Sequence, residues 1–161
     1  MSLALPSDDL RARPTQDAMH CYIFDIDGTI SNVEHRKHHV AVRPKRWDLF
    51  NQGMVDDSPM SHILTLIQDL ASRPIILCTG REELFRGPTE SWLRQHLVRF
   101  DALYMRPAKD YRPDYVVKAE LLKRILNDGF EPIMAFDDRN SVVAMWRKLG
   151  VPCAQVAEGD F

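Results

Sequence analysis

Along the chain, short apolar runs with strand character alternate with stretches whose apolar residues recur at helical spacing, beginning at His20. Cys21-Tyr22-Ile23-Phe24 is a β-prone run that stops at Asp25-Ile26-Asp27-Gly28, which predicts a buried strand ending in a polar loop. From Pro59 to Ser72, Ile63, Leu64, Ile67, Leu70 and Ala71 fall on one helical face, with Pro59 suited to a first turn and Ser58 to its cap. Pro74 to Cys78 reads as a second strand, closed by Thr79-Gly80 and followed by a helix through Glu90, Leu93 and Leu97. The alternation repeats. Ala102 to Met105 is a strand, Val117, Leu121, Leu122 and Ile125 mark a helix that Asn127-Asp128-Gly129 ends, and Pro132 to Phe136 is again a strand. Val142, Met145, Trp146 and Leu149 form a helical stripe stopped by Gly150, and Val151 to Val156 closes the series. Continuously apolar strands separated by helices belong to a parallel sheet covered on both faces. The expected fold is α/β, a doubly wound, Rossmann-like parallel sheet of about five strands.

Two stretches stand outside this rhythm. Residues 1–18 carry mixed charge and two prolines, and we read them as a disordered leader before a domain spanning 19–161. Residues 31–58 interrupt the alternation directly after the first strand and are expected to form an inserted flap. The 161 residues are 45% apolar and 27% charged, enough for one domain with a core of its own. Lys and Arg number 21 against 23 Asp and Glu, so no global field draws the chain to nucleic acid or to an anionic membrane, and attraction for phosphate must be local. No apolar run is long enough to span a bilayer. Cys21, Cys78 and Cys153 form no CxxC pair and no disulfide framework, which favours a reducing, intracellular (cytoplasmic) setting.

In an open α/β sheet a ligand sits beyond the carboxyl ends of the strands. The residues that follow each apolar run there are Asp25 and Asp27, then Thr79, Gly80 and Arg81, then Asp137, Asp138 and Arg139, with Lys118 near the start of the helix after the third strand. Residues two apart in an extended segment point the same way, so Asp25 and Asp27 are expected to share a site while Ile26 packs inward. Facing Asp137 and Asp138, they would repel unless a divalent cation were bound, and an all-oxygen set suits Mg²⁺. Thr79 and Lys118 offer the hydroxyl and the cation that a phosphoryl group needs. The chemistry these residues fit is phosphoryl transfer to a carboxylate: Asp25 as nucleophile, Asp27 as acid and base. A calcium loop is excluded, because the sixth and twelfth positions from Asp25 are Ile30 and Arg36 rather than Gly and Glu.

The ordered set DIDGT, LCTGR, a spaced Lys and FDDRN resembles the haloacid dehalogenase (HAD) superfamily of Mg²⁺-dependent phosphatases from about residue 20 onward. Within it, FDDRNSVVAMWRKLGVPCAQVAEGDF resembles the end of the 3′-phosphatase domain of bacteriophage polynucleotide kinase/phosphatases. The resemblance implies Asp25 as nucleophile, Asp27 as acid/base, and Thr79 and Lys118 as phosphate ligands, all four in the catalytic set. It further implies Gly80, Arg81 and Arg139 on the substrate side, and a Mg²⁺ site formed by Asp25, Asp27, Asp137 and Asp138. The substrate implied is a phosphorylated nucleic-acid end, most directly a 3′-phosphate, with a free nucleotide as the alternative. No G-x-x-x-x-G-K-[ST] occurs, so these residues imply no ATP site.

Residues 35–46, HRKHHVAVRPKR, are either a phosphate-attracting patch beside the site or a solvated basic loop. His35, His38 and His39 lack a cysteine or further ligand and are not read as a zinc site. Trp47 and Phe50 offer faces for a base, but packing the flap onto the body is the expectation. Arg106, Lys109 and Arg112 are candidates for the substrate entrance, and Cys78 is expected to be an inert core thiol. A phosphoacceptor signalling domain also combines acids, Thr and Lys on such a sheet, but in the reverse order along the chain, and a non-catalytic nucleic-acid binder would leave the catalytic set unused.

Overall fold

The computed structural model describes residues 17–160, so residues 1–16 of the expected leader lie outside the described residues. Five parallel strands, β1 (Met19–Phe24), β4 (Ile75–Glu82), β5 (Ala102–Arg106), β6 (Phe130–Asp137) and β7 (Cys153–Gln155), form one sheet in the order β5-β4-β1-β6-β7. The chain steps outward on one side of β1 through α3 (Ser61–Asp69) and α4 (Arg86–Gln95), then crosses back to the other side through α5 (Asp114–Asn127) and α6 (Asn140–Lys148). The central strand is therefore the topological switch point, and the carboxyl end of β1 opens into the crevice where such sheets bind ligands.

Strand alternation splits the apolar residues between two cores. Ile23, Ile76 and Cys78 face α5 and α6 with Leu121, Leu122, Ile125 and Trp146, while Phe24, Ile75 and Leu77 face the opposite side with Ile63, Ile67, Trp92 and Leu93. Both faces are covered, which is why the strands read as unbroken apolar runs. Burying even one Leu, Ile or Phe side chain contributes roughly 1.5–3 kcal/mol, so these two layers hold the sheet.

Two helix ends differ from the pattern-based reading. α4 stops at Gln95, and Leu97 is exposed with φ +55. The N–H of Leu97 returns to the Arg94 carbonyl and that of Val98 to the Leu93 carbonyl, closing the helix in a Schellman turn pinned by the buried Val98 and Leu93. Pro59 and Ser58 do not start α3. They form the two-residue strand β3 (Ser58–Pro59), antiparallel to β2 (Ser31–Asn32), and Met60 precedes the helix instead. A proline lacks the ladder donor and is compatible with such an edge position.

Between β2 and β3 the chain makes an excursion carrying two short helices, α1 (His38–Ala41) and α2 (Trp47–Gln52). Its inner side is packed on the body through Val33, Arg36, Phe50, Met54 and Asp57, all buried. Its outer side, His39 to Trp47, is mostly exposed. Among the described residues no helix is long and apolar enough to cross a membrane.

Candidate active site

Asp25 follows directly on β1, so the strand end delivers its carboxylate to the crevice, where it remains only 6% exposed. Lys118 is carried in by helical periodicity: it lies on the same buried face of α5 as Leu121, Leu122 and Ile125, one turn from the helix start. Its Nζ donates to Asp25 Oδ1 and to Asp137 Oδ2, each at 2.8 Å, and stands 3.8 Å from Asp114. Asp137 is held by further bonds: its Oδ1 accepts the backbone N–H of Asp138 at 2.9 Å and its Oδ2 the indole N–H of Trp146 at 3.3 Å. Carboxylate oxygens of Asp25, Asp137 and Asp138 lie within 4.8 Å of one another. Gly28 makes this approach possible, because a Cβ there would stand 2.2 Å from Asp138 Oδ2 and its φ is +82.

The electrostatics of this cluster are unbalanced. Burial, and then the neighbouring Asp137 and Asp138, push the Asp25 carboxyl well above its usual range despite Lys118. Burial and Asp137 raise Asp138 to about 6. Burial alone would lower Lys118, but Asp137, Asp25 and Asp114 hold its ammonium above the ordinary lysine value. One ammonium among three buried carboxylates leaves net negative charge that a divalent cation would relieve, and three oxygen donors suit a hard ion such as Mg²⁺.

Asp27 lies outside this trio. Period-two alternation would have placed it beside Asp25, but β1 ends at Phe24 and the chain turns at Gly28, so the carboxylate swings to another partner set. Arg36 Nη2 donates to Asp27 Oδ1 at 2.6 Å, and Arg81 reaches the same carboxylate through Nη2 at 2.7 Å and Nε at 3.1 Å. Both guanidiniums also pair with the buried Asp57, Arg36 at 2.6 Å and Arg81 at 3.5 Å. Burial alone would raise Asp27, yet Arg81 and Arg36 hold it well below the usual carboxylate range. Arg36 and Asp57 were not singled out as site residues from the sequence. Their role exists only in tertiary contacts across 9 and 21 residues, and no local pattern announces it.

Thr79 stands at the end of the apolar part of β4, fully buried, and its Oγ accepts the Arg81 N–H at 3.1 Å, which leaves the hydroxyl proton to donate elsewhere. Gly80, Arg81 and Arg139 line a cleft of about 680 Å³ together with Asp25, Asp27 and Asp138. A side chain at Gly80 would meet Asp114 Oδ1 at 2.2 Å. Arg139 Nη1 approaches Asp114 at 3.8 Å.

The flanking features divide. His35 Nε2 lies 2.8 Å from Asp57 Oδ1, so it belongs to the arginine network rather than to a histidine cluster. Phe50 is buried under the Arg36 guanidinium, 4.2 Å from ring centroid to Cζ, whereas Trp47 is 46% exposed and lines the cleft. Packing thus accounts for Phe50 and not for Trp47. Arg106 donates to the carbonyls of Gly80, Asp110 and Arg112, and Arg112 pairs with Asp110 and Glu120, so both chiefly clip the 107–113 loop. Cys78 is buried with its thiol pushed up by burial, an inert core group.

The sheet order, the switch-point aspartate and the acidic trio define the class: a HAD-like hydrolase fold. A predicted phosphatase from Clostridium acetobutylicum shares it with a TM-score of 0.62 at 14% identity, over 86% of this chain and 84% of that one. The haloacid dehalogenase of Xanthobacter autotrophicus shares it with a TM-score of 0.60 at 11% identity, over 84% of this chain and 76% of that one. Residues 19–161 match the model of the polynucleotide kinase PNKP phosphatase domain, and the chain belongs to that family of phosphatase domains. A chain of the Pnkp1/Rnl/Hen1 RNA repair complex is 31% identical with a TM-score of 0.78, covering 93% of this chain and 46% of that one. A putative bifunctional polynucleotide kinase/RNA ligase of Autographa californica nuclear polyhedrosis virus is 27% identical over 134 residues, 81% of this chain and 18% of that protein. The chain therefore spans about half or less of the length of these two relatives.

Proposed function

We propose that this phosphatase domain removes 3′-phosphates from polynucleotide ends through an aspartyl-phosphate, with a divalent cation, Mg²⁺ by donor chemistry, held by Asp25, Asp137 and Asp138. The observation that carries the reading is the Asp25 carboxylate at the switch point, set against Lys118 and two further carboxylates on the floor of an open cleft. In the first half-reaction an Asp25 oxygen attacks phosphorus and the bond to the leaving oxygen breaks. In this reading Lys118 and the hydroxyl of Thr79 meet the phosphoryl oxygens, with Gly80 and Arg139, which line the cleft, beside them. In the second half-reaction water attacks the aspartyl-phosphate, giving inorganic phosphate and restoring Asp25. Asp27, held as a carboxylate by Arg81 and Arg36, suits the base role of that second step, taking the proton of the attacking water. The first step needs Asp27 in its protonated form, to give that proton to the leaving oxygen, and both arginines oppose the protonated form, so the first step is the one this arrangement burdens. The metal, when bound, draws the Asp25 carboxylate and the phosphate together despite their like charge.

The names of the Pnkp1 and baculovirus relatives support a polynucleotide end over other phosphate esters. The test is Mg²⁺-dependent phosphate release from a 3′-phosphorylated oligonucleotide, a 5′-phosphorylated one, and free 3′- and 5′-mononucleotides, with Asp25→Asn as control. Asp25-dependent turnover concentrated on the 3′-phosphorylated oligomer is the expected result. Preference for free 5′-nucleotides would replace it with a nucleotidase reading, and no Asp25-dependent release from any of them would overturn the substrate class.

A further inference from the structure

Two aromatic rings line the catalytic cleft without being packed into the protein. Trp47, from the excursion after β2, is 46% exposed, and Tyr111, from the loop between β5 and α5, is 84% exposed. Among the described residues neither the indole N–H of Trp47 nor the hydroxyl of Tyr111 has a hydrogen-bond partner within the chain. Both rings nevertheless sit on held supports. Trp47 meets Phe50 edge to face at 5.7 Å, and Phe50 rests on the guanidinium of Arg36. Tyr111 is flanked by Asp110 and Arg112, whose carbonyls both accept from Arg106 Nη1, at 2.9 and 2.7 Å.

The cations around these rings are divided as well. Arg106 and Arg112 are engaged in holding the loop, and Arg46 is paired with Asp48. Lys45 also lines the cleft. Its ammonium stands 5.4 Å from the Trp47 ring centroid and forms no ion pair among the described residues. An exposed ring with an unpaired ammonium beside it is the combination that binds a nucleobase by stacking and a backbone phosphate by charge, with little regard for sequence. A sugar phosphate would offer the rings nothing to stack on. A free mononucleotide would offer a base but no second phosphate for Lys45.

Resting on the proposed 3′-phosphatase reading, we propose that Trp47 and Tyr111 are the stacking surfaces for the terminal bases of a single-stranded 3′-phosphorylated end, and that Lys45 pairs with the phosphodiester behind them. The scissile phosphate then lies on the Asp25 floor of the same cleft, and the rings distinguish a polynucleotide end from other phosphomonoesters.

The experiment compares kcat/KM on a 3′-phosphorylated tetranucleotide, the same tetramer with its last two residues abasic, and the 3′-mononucleotide. The enzymes are the wild type, Trp47→Ala, Trp47→Phe, Tyr111→Ala and Lys45→Ala. Stacking predicts that removing the bases lowers wild-type kcat/KM about tenfold or more, chiefly through KM. In Trp47→Ala and Tyr111→Ala that base-dependent ratio shrinks toward one, while Trp47→Phe, which retains a ring, keeps most of it. Lys45→Ala should narrow the tetramer's advantage over the mononucleotide by a few-fold, more at low salt than at high. A wild-type ratio near one, or a ratio that survives both alanine substitutions, would overturn the stacking proposal while leaving the phosphatase reading in place. Absence of wild-type turnover on every oligonucleotide would remove the substrate reading, and the stacking role with it.

Discussion

Asp25 and Asp27 are two residues apart and live in opposite electrostatic worlds. Around Asp25, one ammonium serves three buried carboxylates. Around Asp27, two buried guanidiniums meet two carboxylates, Asp27 and Asp57, through hydrogen bonds that use most of the available donors and acceptors. The first cluster is short of positive charge and faces the cleft, which suits the cation and the phosphate of the proposed reaction. The second is balanced, so it holds something still: Asp27, the proposed acid/base carboxylate, clasped at the wall of the same cleft between the body of the protein and the excursion after β2. The lesson is that burial of a carboxylate does not by itself mark a ligand site, and the local charge balance does.

The comparison can be broken at its sharpest point by Asp25→Asn, which should reduce phosphate release by more than about a thousandfold without lowering the melting temperature, because it removes the proposed nucleophile from a cluster with surplus negative charge. Arg36→Ala strikes the balanced side. It leaves Asp57 and Asp27 short of a buried partner, a loss of about 3–5 kcal/mol, and thermal denaturation should show a fall on the order of 10 °C. Asp138→Asn should do the reverse. Its carboxyl is raised to about 6 in the folded protein, above its unfolded value near 4, so stability is lost as pH rises through that interval. At pH 7 the substitution should therefore stabilise the metal-free protein by roughly 1–3 kcal/mol, and the gain should vanish below about pH 4. Added Mg²⁺ should raise the melting temperature of the wild type more than that of Asp138→Asn. The smallest effect concerns the thiols: burial pushes Cys21 up to about 12 and Cys153 to about 11, so alkylation at pH 8 should be slow until the chain is denatured.

The sheet was legible because its signal is local. Ile75, Ile76 and Leu77 are apolar on both faces of β4, and nothing but a doubly covered strand explains such a run ending at Thr79-Gly80. Asp25, Asp137, Asp138 and Lys118 were legible as neighbours because strand ends and a helix start in this topology converge on one edge. Arg36 and Asp57 were not, since in the sequence the first reads as one more cation in a basic run. Asp25 and Asp27 do line one cleft, as alternation suggested, but the pairing of Asp27 with Arg36 and Arg81 was hidden, since it depends on contacts distant in the chain. Leu97 departs from the pattern because an apolar residue at helical spacing fits a continuing helix until the Leu93–Val98 closure takes it out.

The excursion leaves the body at Ser31 and returns at Pro59, its registered partner across a two-residue ribbon. Exit and entry are thus adjacent, and residues 33–57 form a cassette whose exchange would not disturb the order of the five-stranded sheet. Arg36 sets the condition on such an exchange. A graft that brings new cleft walls but no guanidinium at that point would leave the clasp on Asp27 half open, so the walls of the cleft and the setting of Asp27 can be re-engineered only together.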